Sequence, residues 1–520
     1  MSPARCSRRS ARRFPKTHRR RNRTGTDLVS QAMLSHARAG RAAGPESLPT
    51  PPRRVGPILY LQGAAGGRVR LSALIVAMAA ESPASLRTED GAIAAATILE
   101  YADRHILRYQ FSLPMRRDAW YELGGLRYEV DASFDGDLRI AYVSCNGQEF
   151  GDRGRAHDER NVLWRRLAHQ HAREPFHLLL HGGDQLYADE LLELHPAVRK
   201  WADGTELDAA ATDEVAAALR QAFFMRYLDV LAAPETAWLM ARVPSLAMWD
   251  DHDICDGWGS MATARLDSPI GRALFAAARE SFLLFQLGAA PGLLPEISPD
   301  TAGASLGWHV ALPDLHLIAP DLRSERRPDR ILGEAGWRAL DASLAAVDHG
   351  RVLILSSVPP LGPRLSWIEA ILHLMPGMHK YEDDLRDQWQ SRSHRREWRR
   401  FLERLAEVHA KPDTAVTVLS GEIHLATRAT FDVPPAPMHQ LIASGIAHRP
   451  PPPPYATVLG ALARFGDSPV PGRTIRLHPL PGRKAIYTPQ RNYLILERRR
   501  GEWRAWWELE EDGPTPALAI

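Results

Sequence analysis

The chain has 520 residues, 45% hydrophobic, 24% charged and 8% aromatic, which excludes both a fully disordered chain and a stapled mini-protein. The length suggests about two to four domains, and three cysteines exclude a disulfide framework. The longest apolar run, Leu71 to Ala80, has about ten residues, half of the roughly twenty that a membrane-spanning helix needs, so the chain reads as a soluble protein.

The net charge of +3 hides an asymmetry: residues 1–54 hold 14 Lys and Arg against two acids, and the remainder holds 51 basic and 60 acidic residues. The basic arm, with ARCSRRSARRFPKTHRRRNR at its core, has too few apolar residues to offset its ordering entropy and is expected to be disordered up to the boundary Pro49, Pro51 and Pro52. It reads as a solvated extension, with Met33 as an alternative start, or as a tether that binds nucleic acid or an anionic membrane through clustered arginines. ARRFPK echoes a twin-arginine export signal, but THRRRNRTGTD follows where an apolar stretch is needed, so the expected location is cytoplasmic.

Residues 55–133 carry short β-like runs, Val55–Leu61, Arg68–Ile75, Arg108–Leu113 and Ala119–Val130, with weak helical periodicity, which predicts a small β-sandwich. Over 134–449 buried-type strands alternate with amphipathic helices; Leu163 and Leu167 share one face, and so do Leu274, Ala278, Phe282 and Phe285, and Trp398, Leu402 and Leu405. That alternation predicts a layered α/β domain. Residues 450–520 read as a stiff Pro450–Pro454 connector followed by strands in TIRLHPL, NYLILERR and WRAWWEL, packed on a sheet edge or on the sandwich.

Six strand candidates run directly into polar residues. LRIAYV leads to Ser144-Cys145-Asn146, FHLLL to His181-Gly182-Gly183-Asp184 and on to Tyr187, and SLAMW to Asp250-Asp251-His252-Asp253. LHLIA leads to Asp321-Leu322-Arg323, VLIL to Ser356-Ser357, and TAVTVL to Ser420-Gly421-Glu422-Ile423-His424. Ligands gather at strand C-termini in α/β sheets, so one edge is expected to carry the function. Singly, such an Asp is usually a turn or cap residue and such a Cys usually packing; together they are metal-ligand material. Two glycines before Asp184 allow a sharp turn that places its carboxylate above the strand, where it could bridge two cations. Tyr187 could add a phenolate. Asp251 and His252 are adjacent and point apart, so one can bind metal while the other faces substrate. Glu422 and His424 face one side if the chain is extended. Thiolate from Cys145 with phenolate favours Fe(III), while carboxylate and imidazole suit several divalent ions.

The series Ser144-Cys145, Gly183-Asp184-Gln185-Leu186-Tyr187, Trp249-Asp250-Asp251-His252-Asp253 and Ser420-Gly421-Glu422-Ile423-His424 resembles the PhoD-like alkaline phosphatase and phosphodiesterase family, within the calcineurin-like metallophosphoesterases. The resemblance covers about residues 134–448, with the preceding β-sandwich matching the family's N-terminal domain. It implies a metallophosphoesterase-type α/β fold and a centre of two or more ions, Fe(III) with Ca or another divalent ion such as Zn or Mn. It implies Asp184 as the bridging carboxylate, Tyr187 and Cys145 completing the ferric site, Asp251, Glu422 and His424 as further ligands, and His252 contacting substrate and protonating the leaving group. Asp256 lies where the PhoD type often has another ligand. Two departures stand out: Gly-Glu-Ile-His replaces the usual Gly-Asp-Val-His, and no export signal is evident. Arg323 resembles the family's D-x-R-x-x-R segment, either holding a phosphoryl oxygen or pairing with Glu325 or Asp321. The charged segment Lys380–Trp389 reads as a solvated helix face or as a lid with Trp389 as an aromatic wall.

The expected activity is hydrolysis of a small phosphate monoester or diester by metal-bound hydroxide, with His252 as acid and without a phosphoenzyme. The alternatives are a non-catalytic member of the fold that binds nucleic acid through its basic arm, and a metal centre acting on another anionic ester.

Overall fold

A computed structural model describes residues 54–290, 293–363, 387–421, 423–464 and 466–520, all within one structural unit. The β-like runs at the start become β1 (Val55–Ala65), β2 (Arg68–Met78), β3 (Leu86–Thr88), β4 (Ile93–Ala94), β5 (Thr97–Tyr101), β6 (Arg104–Pro114), β7 (Ala119–Leu123) and β8 (Leu126–Val130). They make two leaves, one of which is the four-stranded antiparallel sheet β4-β3-β7-β8. The other leaf does not stop at residue 133, because β1 pairs in parallel with β11 (Ser245–Met248). The reason is legible in β1 itself: Ile58 to Leu61 are buried consecutively rather than alternately, the pattern of a strand covered on both faces.

The α/β region supplies β9 (Leu138–Val143), β10 (Leu178–Gly182), β12 (Trp308–Leu312), β13 (Leu315–Ala319), β14 (Gly350–Ser356), β15 (Thr414–Ser420), β16 (Thr427–Phe431) and β17 (Met438–Ile442). The C-terminal part adds β18 (Asp467–Val470), β19 (Arg473–His478), β20 (Asn492–Arg499), β21 (Glu502–Leu509), β22 (Gly513–Pro514) and β23 (Leu518–Ala519). The first large sheet has 11 strands in the order β22-β21-β20-β9-β10-β11-β1-β2-β6-β5, with β23 beside β21. The second has eight, ordered β12-β13-β14-β15-β17-β16-β19-β18. In the first, β9, β10, β11 and β1 run parallel; in the second, β13, β14, β15 and β17 do. All six expected functional strands are therefore strands, and the tail docks on a sheet edge, with β20 antiparallel to β9. The proline run differs from a plain connector: helix Pro453–Ala463 starts inside it, as proline is tolerated in a helix's first turn.

Helices Val162–Arg173, Pro269–Phe285 and Arg395–His409 each bury the apolar face anticipated for them. The two large sheets meet through tryptophans that join apolar area to a satisfied N–H. Trp308 of β12 donates from Nε1 to the Ala247 carbonyl at 2.7 Å, and Trp507 of β21 donates to the Ile442 carbonyl at 2.8 Å. Trp507 is fully buried, so Trp507→Ala leaves both a cavity and an unpaired carbonyl. The expected loss is about 3–5 kcal/mol in urea unfolding; a loss below about 1 kcal/mol contradicts this placement.

Candidate metal centre

The loops that follow the parallel strands are stitched to one another by their backbones. Cys145 N–H donates to Gly183 O at 3.1 Å, Asn146 N–H to Asp184 O at 2.7 Å, and Ala188 N–H to His252 O at 2.9 Å, joining the ends of β9, β10 and β11. Ile446 N–H donates to Ser144 O at 3.0 Å, tying the second sheet to the first. Gly183 turns the chain at φ +104°, and a Cβ there would lie 2.8 Å from Asp250 Cβ and 2.9 Å from Ser357 Cβ. Three residues at these loop tips, Cys145 (φ +54°), Asp184 (φ +54°) and His424 (φ +52°), are non-glycine residues in the left-handed region. Such backbone strain persists only where its surroundings enforce it, and it concentrates at functional sites.

This backbone brings two groups of ligand-type atoms together, each within 4.8 Å: Cys145, Asp184 and His424, and Asp184, Asp251 and His252. Asp184 belongs to both. Its Oδ2 lies 3.5 Å from Cys145 Sγ and accepts from Tyr187 Oη at 3.4 Å, while its buried Oδ1 has no hydrogen-bond partner. Tyr187 Oη is also 3.1 Å from His424 Nε2. Burial, reinforced by Asp250, pushes the Asp184 carboxyl well above its ordinary pKa, and burial likewise pushes the Cys145 thiol and Tyr187 phenol up. Burial, then His448, pushes His424 well down. An orphaned carboxylate oxygen among thiol, phenol and imidazole is a donor set that a cation satisfies.

A sequence model of the PhoD related phosphatase family matches residues 120–381. The chain belongs to that family. It is 23% identical over 401 residues to the uncharacterized Saccharomyces cerevisiae protein YGR266W, an alignment that takes in 62% of this chain and 56% of the yeast protein, so the chain spans about half of that relative's length. The solved structure of PhoD is similar to it with a TM-score of 0.53 at 10% identity, over 89% of this chain and 88% of PhoD, which shows a shared fold. A purple acid phosphatase from yellow lupin seeds gives a weaker likeness, TM-score 0.49 at 11% identity, over 90% of this chain and 74% of that one.

Other expected members of this PhoD-related site stand differently. Glu422 and residues 380–386 lie outside the described residues. Asp256 is outside both ligand groups and donates its backbone N–H to Asp189 Oδ1 at 2.7 Å. Trp389 is no wall of the cleft: it is fully buried and stacks on Phe401 at 4.6 Å. Arg323 does not meet the expectation of a phosphoryl clamp, because every N–H it owns is taken. Nε donates to Asp250 Oδ1 at 2.5 Å, Nη1 to Trp258 O at 3.1 Å and Asp387 Oδ1 at 2.9 Å, and Nη2 to Asp251 Oδ1 at 3.3 Å and Asp387 Oδ2 at 2.8 Å. The pairing with Glu325 or Asp321 is also replaced, by Asp250, Asp251 and Asp387. Although burial pushes the Asp387 carboxyl up, Arg323 and Arg326 hold it below the usual carboxylate range.

Several residues to which the sequence assigns no role of their own also contribute. Asp189 Oδ2 lies 2.8 Å from His252 Nδ1 and fixes that ring; burial lowers the His252 pKa, but Asp189 and Asp251 outweigh it and hold it well above its ordinary value. Tyr187 stacks on the same imidazole at 4.5 Å. His448 stacks on His424 at 3.4 Å and reaches Glu149 Oε2 at 3.2 Å. Asp253 carries the loop geometry, accepting from Asp184 N–H (2.9 Å), Leu186 N–H (3.0 Å), Asp250 N–H (2.9 Å) and Gln286 Nε2 (2.9 Å). Its one cue was the three-residue spacing from Asp250, a capping-box arrangement. Asp253→Asn sets an amide N–H₂ against these donors. We expect about 1–3 kcal/mol lost for each donor left unpaired, read by urea unfolding of the metal-free chain; an unchanged midpoint contradicts the assignment.

Proposed function

We propose that the chain hydrolyses phosphate esters, monoesters or diesters, at a centre of about two metal ions that Asp184 and the ligand-type residues around it would hold. The observation that carries this reading is the pair of ligand groups sharing one buried carboxylate whose Oδ1 is left without a protein partner. Cys145, Tyr187 and His424 would complete one position and Asp251 the other. Thiolate and phenolate favour Fe(III) in the first, and carboxylate suits Ca, Zn or Mn in the second. Cations held there would supply Lewis acidity that activates water and neutralises phosphoryl oxygens.

The protein's own contribution is positioning and proton supply. With Nδ1 engaged by Asp189, His252 keeps Nε2 for the ester, and the Asp189 carboxylate beside it favours its protonated form, so it can donate a proton to the departing oxygen. Arg323 acts indirectly. Its fork ties Asp250, Asp251 and Asp387 into one network and so fixes the loop that bears Asp251 and His252.

Asp184→Asn is expected to remove metal and reduce hydrolysis of aryl phosphates to background, and a folded variant with normal activity overturns the proposal. His252→Ala separates its two roles. Retained metal with a rate lower by about 10²–10⁴-fold supports proton donation, whereas loss of metal makes His252 a ligand.

A further inference from the structure

The first large sheet carries polar side chains that the metal centre does not use. Tyr60 of β1 is the register partner of Ser245 of β11, and Ser245 is the partner of Leu179 of β10. His181 follows Leu179 by two residues, so Tyr60, Ser245 and His181 share one face. Tyr227 of helix Asp213–Leu231 and Gln286, which ends helix Pro269–Phe285, lie against that face. Together these five buried residues line a chamber with room of about 20 Å³ for the centre of a water molecule.

The polar groups around the chamber are only partly satisfied by the protein. Tyr60 Oη donates to Phe285 O at 2.8 Å, and Gln286 Nε2 donates to Tyr227 Oη at 2.7 Å and to Asp253 Oδ1 at 2.9 Å. His181 Nδ1 and Nε2, Ser245 Oγ and Gln286 Oε1 have no hydrogen-bond partner among the described residues. Polar groups buried in this way are costly unless a partner reaches them. Burial lowers the His181 pKa to about 4, with the Gln185 side chain opposing it, so the ring is neutral and offers one donor and one acceptor. The Ser245 hydroxyl can donate or accept, and Gln286 Oε1 accepts.

We propose that this chamber binds one ordered water, shared by the His181 ring, Ser245 Oγ and Gln286 Oε1. Three features select that ligand. Among the described residues that line the chamber none carries a charge, so an ion there would be unpaired. The space exceeds the about 10–15 Å³ that a water needs and leaves no room for a larger molecule. Water donates to Gln286 Oε1 while either donating or accepting at the other two groups. The neighbouring loop depends on this bond. With Oε1 held by water, the Gln286 amide keeps Nε2 turned to Tyr227 and Asp253, and Asp253 in turn accepts the Asp184 and Leu186 N–H groups. The site stands independently of the hydrolase reading, since no metal takes part in it.

A crystal structure of the full chain, purified in chelator, tests the site. We expect one density peak at about 2.5–3.2 Å from at least two of the three side chains; the absence of such a peak overturns the proposal. A double-mutant cycle read by urea midpoints tests the sharing in solution, because His181 and Ser245 make no hydrogen bond to each other and a common water is what couples them. His181→Phe takes up the chamber and displaces the water. We expect Ser245→Ala to lower the midpoint of the wild-type chain, and to leave unchanged or raise that of His181→Phe, where Ser245 Oγ has already lost its partner. Equal losses in the two backgrounds overturn the shared water. If His181→Phe does not fold, the crystal structure alone decides.

Discussion

The structure turns on negative charge held away from water. Asp184, Asp250, Asp251 and Asp253 lie together at the ends of β10 and β11, all buried. Carboxylates so placed are costly unless each oxygen finds a donor or a cation. One of the four, Asp253, is fully answered within the protein. Backbone N–H groups and Gln286 surround Asp253, while Arg323 and Ser357 both meet Oδ1 of Asp250 and leave its Oδ2 without a hydrogen-bond partner. Asp251 takes Gly257 N–H and one side of Arg323, leaving capacity to spare. Asp184 also has an oxygen, Oδ1, without a partner, and the thiol, phenol and imidazole beside it add donors suited to a metal.

Strain follows the same logic. Cys145, Asp184 and His424 each adopt a left-handed backbone that a side chain disfavours, and each is held there by bonds from a neighbouring loop: the Cys145 and Asp184 peptides pair across β9 and β10, and His424 N–H donates to Ser444 Oγ at 2.8 Å. The two-sheet core supplies the rigidity, since buried Trp308 and Trp507 pin one sheet to the other just behind this edge.

Much of this was written in the sequence, and what was hidden has a physical reason. Continuous apolar runs ending in Asp, Cys or His announced strands and a shared functional edge, because a strand buried on both faces has no polar residue to spare until it emerges. The continuation of β1 into the first large sheet was harder to see, as parallel pairing with β11 joins segments about 180 residues apart and leaves no local trace. Arg323 shows the limit from the other side. Its segment resembled a substrate clamp, yet its partner Asp387 comes from a distant charged stretch that sequence alone treats as a solvated face. Asp189 and Asp253 were similarly opaque, because a carboxylate that orients an imidazole and one that caps a turn look alike until the donors around them are placed.

The account stands on cations occupying the Asp184 centre. Elemental analysis of the chain purified without chelator tests this most directly: about two ions per chain, lost on Asp184→Asn, is the predicted result. A wild-type chain that carries no metal, takes up none when supplied, and still hydrolyses phosphate esters would contradict it.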